Sequence, residues 1–163
     1  MLNKILSVSG KSGLFKLIST SKNLSIVESL SDAKRYPIHA NDKAVALSDV
    51  SFYTQTDDVP LVDVLNKIKE KENGNKTTVS PKDSGNKLFG YLAEILPNYD
   101  AERVYASDVK KLISWYNILI ENNIELIVEK KANTDESDTE NSDQKETEEI
   151  ESVDNKPVEN NKD

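Results

Sequence analysis

The chain reads as an α+β protein: a small N-terminal five-stranded β-barrel of SH3-like form, about three α-helices, then a disordered acidic tail. Three observations predict this. Apolar residues alternate with polar ones between turn signals up to about Thr54. From residue 57 the apolar spacing changes to between three and four. Beyond Val128 apolar residues shrink to Ala132, Ile150, Val153 and Val158, too few to offset the entropy of ordering a chain. The expected divisions are 1–56, 57–131 and 132–163.

Five strands are expected in the first part. The first covers 5–9 and is followed by a turn at Gly10-Lys11-Ser12-Gly13, where paired glycines permit positive φ. The second covers 14–19. The third covers 24–30, with Leu24, Ile26 and Leu30 on one face. The fourth, 35–40, places Tyr36, Ile38 and Ala40 opposite Arg35 and His39, and Pro37 marks it as an edge. The fifth is expected at 50–54 after a loop through Asn41-Asp42. Short strands about ten residues apart suit a small closed barrel, because closure removes exposed edges.

Leu61, Leu65 and Ile68 define a first helix that opens at Val59-Pro60 and ends near Glu72. Leu88, Leu92, Ile95 and Leu96 define a second, stopped by Pro97. Val109, Leu112, Ile113, Tyr116, Leu119 and Ile120 define a third, with Ser107 expected as N-cap and Asp108 near the positive helix end.

Net charge follows the same divisions. Residues 1–56 carry +3, residues 57–131 carry −2 and residues 132–163 carry −9, together the −8 of the whole chain. The acidity therefore belongs to the tail. Absence of cysteine excludes disulfides, thiolate catalysis and Cys-ligated metals. No apolar run reaches the length of a signal-peptide core or a membrane span, so a cytoplasmic protein with no membrane partner is expected.

The chemistry-bearing signals are sparse. Gly10-Lys11-Ser12 lacks the upstream glycine and following helix of a phosphate-binding loop, so it reads as a hairpin turn. His39 has no partner pattern for catalysis. Asp135 to Asp138 lacks the glycine and spacing of a calcium loop. No catalytic residue, metal site or cofactor is read from the chain. The candidate binding residues are Lys11, Lys16, Lys34, Arg35, Lys110, Lys111 and Trp115, with Lys22, Tyr36 and Tyr53 as further contacts for phosphate or bases. Their plainer reading is a solvated basic face with inward-packed tyrosines. Trp115 and Ile118 fall off the main stripe of the third helix, as partner anchors do, and as residues of a helix buried on more than one side do.

Ile5 to Lys11 with Gly13 to Leu17, Val27 to Leu30, Arg35 to Ile38, Ala46 to Asp49, Val59 to Leu61, Leu96 to Asp100, Arg103 to Tyr105, Ser107 to Lys111 and Ser114 to Asn117 together resemble a bacterial domain-of-unknown-function family. The resemblance covers residues 1 to about 123. It implies a barrel followed by a helical unit, and no activity, cofactor or site.

The expected function is a non-enzymatic binding or adaptor module with a protein partner, or alternatively an RNA partner. The other class is an enzyme or small-ligand protein using a pocket between barrel and helices, with Asp100, Glu102, Arg103, Tyr105 and Asp108 as its ionisable groups.

Overall fold

The structure, a computed structural model, describes residues 2–126. Contacts divide the chain into one compact unit, Met1–Lys130, and a remainder, Lys131–Asp163. The expected acidic tail, 132–163, lies outside the described residues.

A 3-10 turn, Leu2–Lys4, leads into β1 (Ile5–Val8), β2 (Phe15–Thr20), β3 (Leu24–Ser29), β4 (Arg35–His39) and β5 (Ala44–Ala46). These form one antiparallel sheet in the order β4-β3-β2-β1-β5. The first four strands lie where the alternation predicts them. Register places Leu17, Val27 and Tyr36 in one row across three strands, and Leu6 beside Phe15. Val8, Phe15, Val27 and Ile38 bury together as a small core on that face.

Closure into an SH3-like barrel is not found. β4 and β5 are the two edges, and no pairing joins them. The physical reason lies in those edges: β5 has only three residues, and Pro37 removes an amide donor from β4. The sheet is nevertheless curled. Its edges are joined by residues 40–43, which include a turn in which the Asp42 N–H donates to the His39 carbonyl at 2.9 Å. A flat sheet of five strands would hold those edges roughly 19 Å apart, further than so short a turn extends.

The fifth strand is also displaced. The sheet takes Ala44–Ala46, a segment too short for alternation to stand out, and pairs it with β1 through Leu6 and Ala46. The expected strand at 50–54 becomes β6 (Ser51–Phe52), which pairs with β7 (Val59–Pro60) in a separate ribbon.

Helix α1 (Leu61–Lys71) starts directly after Pro60, α2 (Gly85–Ile95) ends before Pro97, and α3 covers Ala106–Glu121. Ser107 is not the N-cap. That position belongs to Tyr105, whose N–H donates to the Asp108 carboxylate at 3.0 Å. Asp108 thus satisfies an orphan donor at the helix start, the role predicted for its charge.

The main core gathers Leu61, Val64, Leu65 and Ile68 of α1, Leu88, Tyr91, Leu92 and Ile95 of α2, and Val109, Leu112, Ile113, Tyr116 and Leu119 of α3. Leu2, Ile5, Leu14, Leu47 and Phe52 join it from the strand-rich half. Each such side chain contributes about 1.5–3 kcal/mol relative to exposure. The helices, too short to persist alone in water, are held by this burial. It also places one face of α3 beside the β1–β2 turn. Among the described residues no helix is long and apolar enough to cross a membrane.

Candidate functional site

Two local structures meet at the surface to build the site. The first is the β1–β2 turn, where Gly10 and Gly13 adopt φ of +77° and +90°. That left-handed geometry favours glycine over residues bearing a Cβ. At Gly13 an added Cβ would also lie 3.3 Å from Ser31 Oγ. The Lys11 N–H closes the turn onto the Val8 carbonyl at 3.1 Å. The second is α3, whose spacing of four aligns Lys110 with Ser114 and Lys111 with Trp115. Opposite the row that α3 buries, these side chains face the turn.

Together they line a depression of about 380 Å³, walled by Ser7 to Gly13 on one side and by Lys110, Lys111, Ser114 and Trp115 on the other. Pro81 of the α1–α2 connection completes the lining. No carboxylate lines it. Lys11, Lys110 and Lys111 are exposed, and among the described residues none forms an ion pair. Trp115 is half-buried, packed against the main core while lining the depression. It also lines a neighbouring cleft with Phe52, Tyr53, Val104 and Asp108. From the sequence Ser12 reads only as part of a hairpin turn, and Ser114 and Pro81 carry no binding role. The helical spacing from Lys110 points to Ser114, whereas nothing local points to Pro81.

Four of the seven candidate residues therefore come together, and three do not. Lys16 lies on β2 beside Lys4 and Asn123. Arg35 is directly opposite Glu28 in register, with Nε 3.1 Å from the carboxylate. Lys34 sits 3.8 Å from Asp32. Asp32 is held below its usual carboxylate value, first by a hydrogen bond from Ser29; desolvation opposes this, and the Lys34 N–H, the Tyr36 hydroxyl and the Lys34 charge lower it further. Tyr36 packs edge-on against Phe15 at 6.1 Å, and the Lys11 ammonium lies 5.4 Å from its ring centre. His39 is exposed on β4.

The ionisable groups around the α2–α3 connection are arranged differently. Arg103 donates to Asp100 at 2.7 Å and to the Thr54 carbonyl at 3.1 Å, and its guanidinium stacks 4.5 Å above the Tyr53 ring. Hydrogen bonding to Arg103 and then to the Glu102 N–H lowers the Asp100 pKa. Asp100, Arg103 and the backbone bonds from Gln55 to Asn98 and from Asp100 to Tyr53 tie two loops together. Glu102 and Tyr105 face solvent. Of this group Asp108 alone lines the cleft beside Trp115.

One buried ionisable residue was not anticipated. Glu72, 8% exposed at the end of α1, accepts hydrogen bonds at one oxygen from the Tyr91 hydroxyl (2.7 Å), the Thr78 N–H (3.2 Å) and the Thr78 hydroxyl (3.1 Å). Desolvation works to raise its pKa, but these donors and the Lys71 charge outweigh it, and the net direction is down. Burial, and secondly Glu72, push the Tyr91 phenol far up. The cluster anchors the α1–α2 connection that presents Pro81.

The fold and this surface define a class: an open, curled antiparallel sheet backed by three helices, with a cationic depression where turn and helix meet. Two family profiles match the chain, Domain of unknown function (DUF5606) over residues 2–47 and Domain of unknown function (DUF6852) over residues 50–119. A solution NMR structure from Bacteroides vulgatus, a structural genomics target, is similar at 50% identity with a TM-score of 0.65. That match covers 77% of this chain and 89% of the other. No curated protein matches the chain. The chain belongs to a bacterial family of domains of unknown function, as the resemblance implied.

Proposed function

We propose that the chain is a non-enzymatic binding module, an adaptor that captures a protein partner at the depression between the β1–β2 turn and α3. The observation that supports this is the convergence of Lys11, Lys110 and Lys111, without acidic partners among the described residues, around the half-buried Trp115. An aromatic anchor held by the core, bordered by charges free to pair, is the arrangement that concentrates binding energy at protein interfaces. The compactness of the charge favours a protein over RNA. A nucleic acid is tracked by an extended basic stripe, whereas Lys16 lies apart and Lys34 and Arg35 are paired with Asp32 and Glu28. A chain without cysteine suits the reducing cytoplasm, where we place the module.

The test is affinity capture from lysate with the full chain, compared with Trp115→Ser and with the double variant Lys110→Glu/Lys111→Glu. The expected result is a protein recovered by the wild type and lost by both variants while their circular dichroism is unchanged. Recovery of nothing above background, or equal recovery by folded variants, refutes the reading.

A further inference from the structure

Resting on that reading, we infer that the depression binds a phosphomonoester carried by the partner, a phosphorylated serine or threonine side chain. Among the described residues no acceptor takes the N–H of Gly10, Ser12 or Gly13, whereas the Lys11 N–H is taken by Val8. Successive N–H groups in a turn with left-handed residues form a concavity that favours anions. The rest of the lining adds to this polarity: Lys110 and Lys111 of α3, Lys11 of the turn with its ammonium over the Tyr36 ring, and the hydroxyl-bearing Ser12 and Ser114. The lining contains donors and no carboxylate.

The charge and geometry of the ligand follow from that set. A carboxylate brings one charge and two oxygens. A phosphomonoester brings about −1.5 to −2 charges and three strong acceptor oxygens, a closer match to a lining of lysines, hydroxyls and turn N–H groups. Trp115 supplies an apolar wall for the residue next to the phosphorylated one. The nearest carboxylates lie in adjoining clefts: Asp108 lines one that shares Lys111 and Trp115 with the pocket, and Asp32 lines one that shares Gly10 to Gly13 and Ser114 with it. They would repel a longer polyanion that extended either way, which restricts the ligand to a compact anion.

The test is an NMR titration of the full-length, isotope-labelled chain with a degenerate phosphoserine peptide pool, the same pool with serine, and a single-stranded oligonucleotide. The phosphoserine pool is expected to move the amides of Gly10, Ser12 and Gly13 and the Trp115 indole, and the serine pool to leave them in place. Lys110→Gln/Lys111→Gln should weaken that binding by about tenfold or more, as loss of charge-assisted hydrogen bonds does, and Lys67→Gln/Lys69→Gln on exposed α1 positions should not. Absence of these shifts, equal shifts with the serine pool, or an unchanged affinity in the Lys110/Lys111 variant overturns the inference. An oligonucleotide that moves the same amides at lower concentration also overturns it. A lysate partner whose capture needs Trp115 but survives phosphatase treatment overturns the phosphate inference and leaves the binding module standing. Capture of no partner at all removes the module itself.

Discussion

Glu72 permits the most quantitative prediction. Its side chain is buried, and one carboxylate oxygen holds the Tyr91 hydroxyl and two donors of Thr78. Glu72→Ala removes that acceptor. Tyr91 is 4% exposed, so its hydroxyl is left without a partner and without easy access to water. A buried unsatisfied donor costs about 1–3 kcal/mol, and a hydrogen bond to a charged group contributes about 1.5–3 kcal/mol. Thr78 is exposed, and its donors turn to water. The expected loss is therefore about 3 kcal/mol, or a drop in Tm of roughly 10 °C for a domain of this size. Glu72→Gln keeps a carbonyl acceptor in the same place and should cost about 1 kcal/mol.

The pH dependence has a definite sign. Because the folded-state pKa of Glu72 is depressed, its contribution is present above the unfolded pKa, about 4.3 for glutamate, and is lost as pH falls through the folded value. The gap between wild type and Glu72→Gln should be constant near neutrality and narrow below about pH 4. Thermal melts followed by circular dichroism across that range check both points. Glu72→Ala melting within a degree or two of wild type at neutral pH would refute the reasoning. So would a Glu72→Gln gap that widens in acid.

Two further predictions concern the loops around the site. Gly13→Ala should cost about 1–2 kcal/mol in a chemical denaturation series, because φ is +90° and the new methyl presses on Ser31; Gly10→Ala, with open space around it, should cost less. Arg103→Lys cannot reach Asp100 and the Thr54 carbonyl together while stacking on Tyr53, so hydrogen exchange at the Gln55 and Asp100 amides should quicken, with the α3 core amides unchanged.

Strands β1 to β4 and all three helices were legible in the sequence, because side-chain period and turn residues act within a few positions of one another. β5 was not, since Ala44–Ala46 has too few residues to show alternation and is a strand only because Leu6 to Val8 pair with it. The strand expected at 50–54 has the right pattern and the wrong neighbour: it pairs with Val59–Pro60 instead of the sheet. Glu72 looked like one more polar helix end, and its burial depends on Tyr91, nineteen positions on.

The candidate site shows the same limit. Lysine and tryptophan could be named from composition and helical phase, but which of them act together could not. Register placed Glu28 opposite Arg35 and so neutralised one basic pair, while packing of α3 beside the β1–β2 turn left the other free next to Lys11.

By itself the amino-acid sequence determined what local forces control: the alternating strands, the amphipathic helices and their stops, and the concentration of negative charge beyond residue 131. Tertiary structure alone decided whether the sheet closes, and which cations separated by a hundred positions share a surface. Closure depends on how the pairing of β1, β2 and β3 sets the edges β4 and β5 against each other, and convergence depends on how a shared core orients α3 against the turn. Neither quantity is carried by any short stretch of chain.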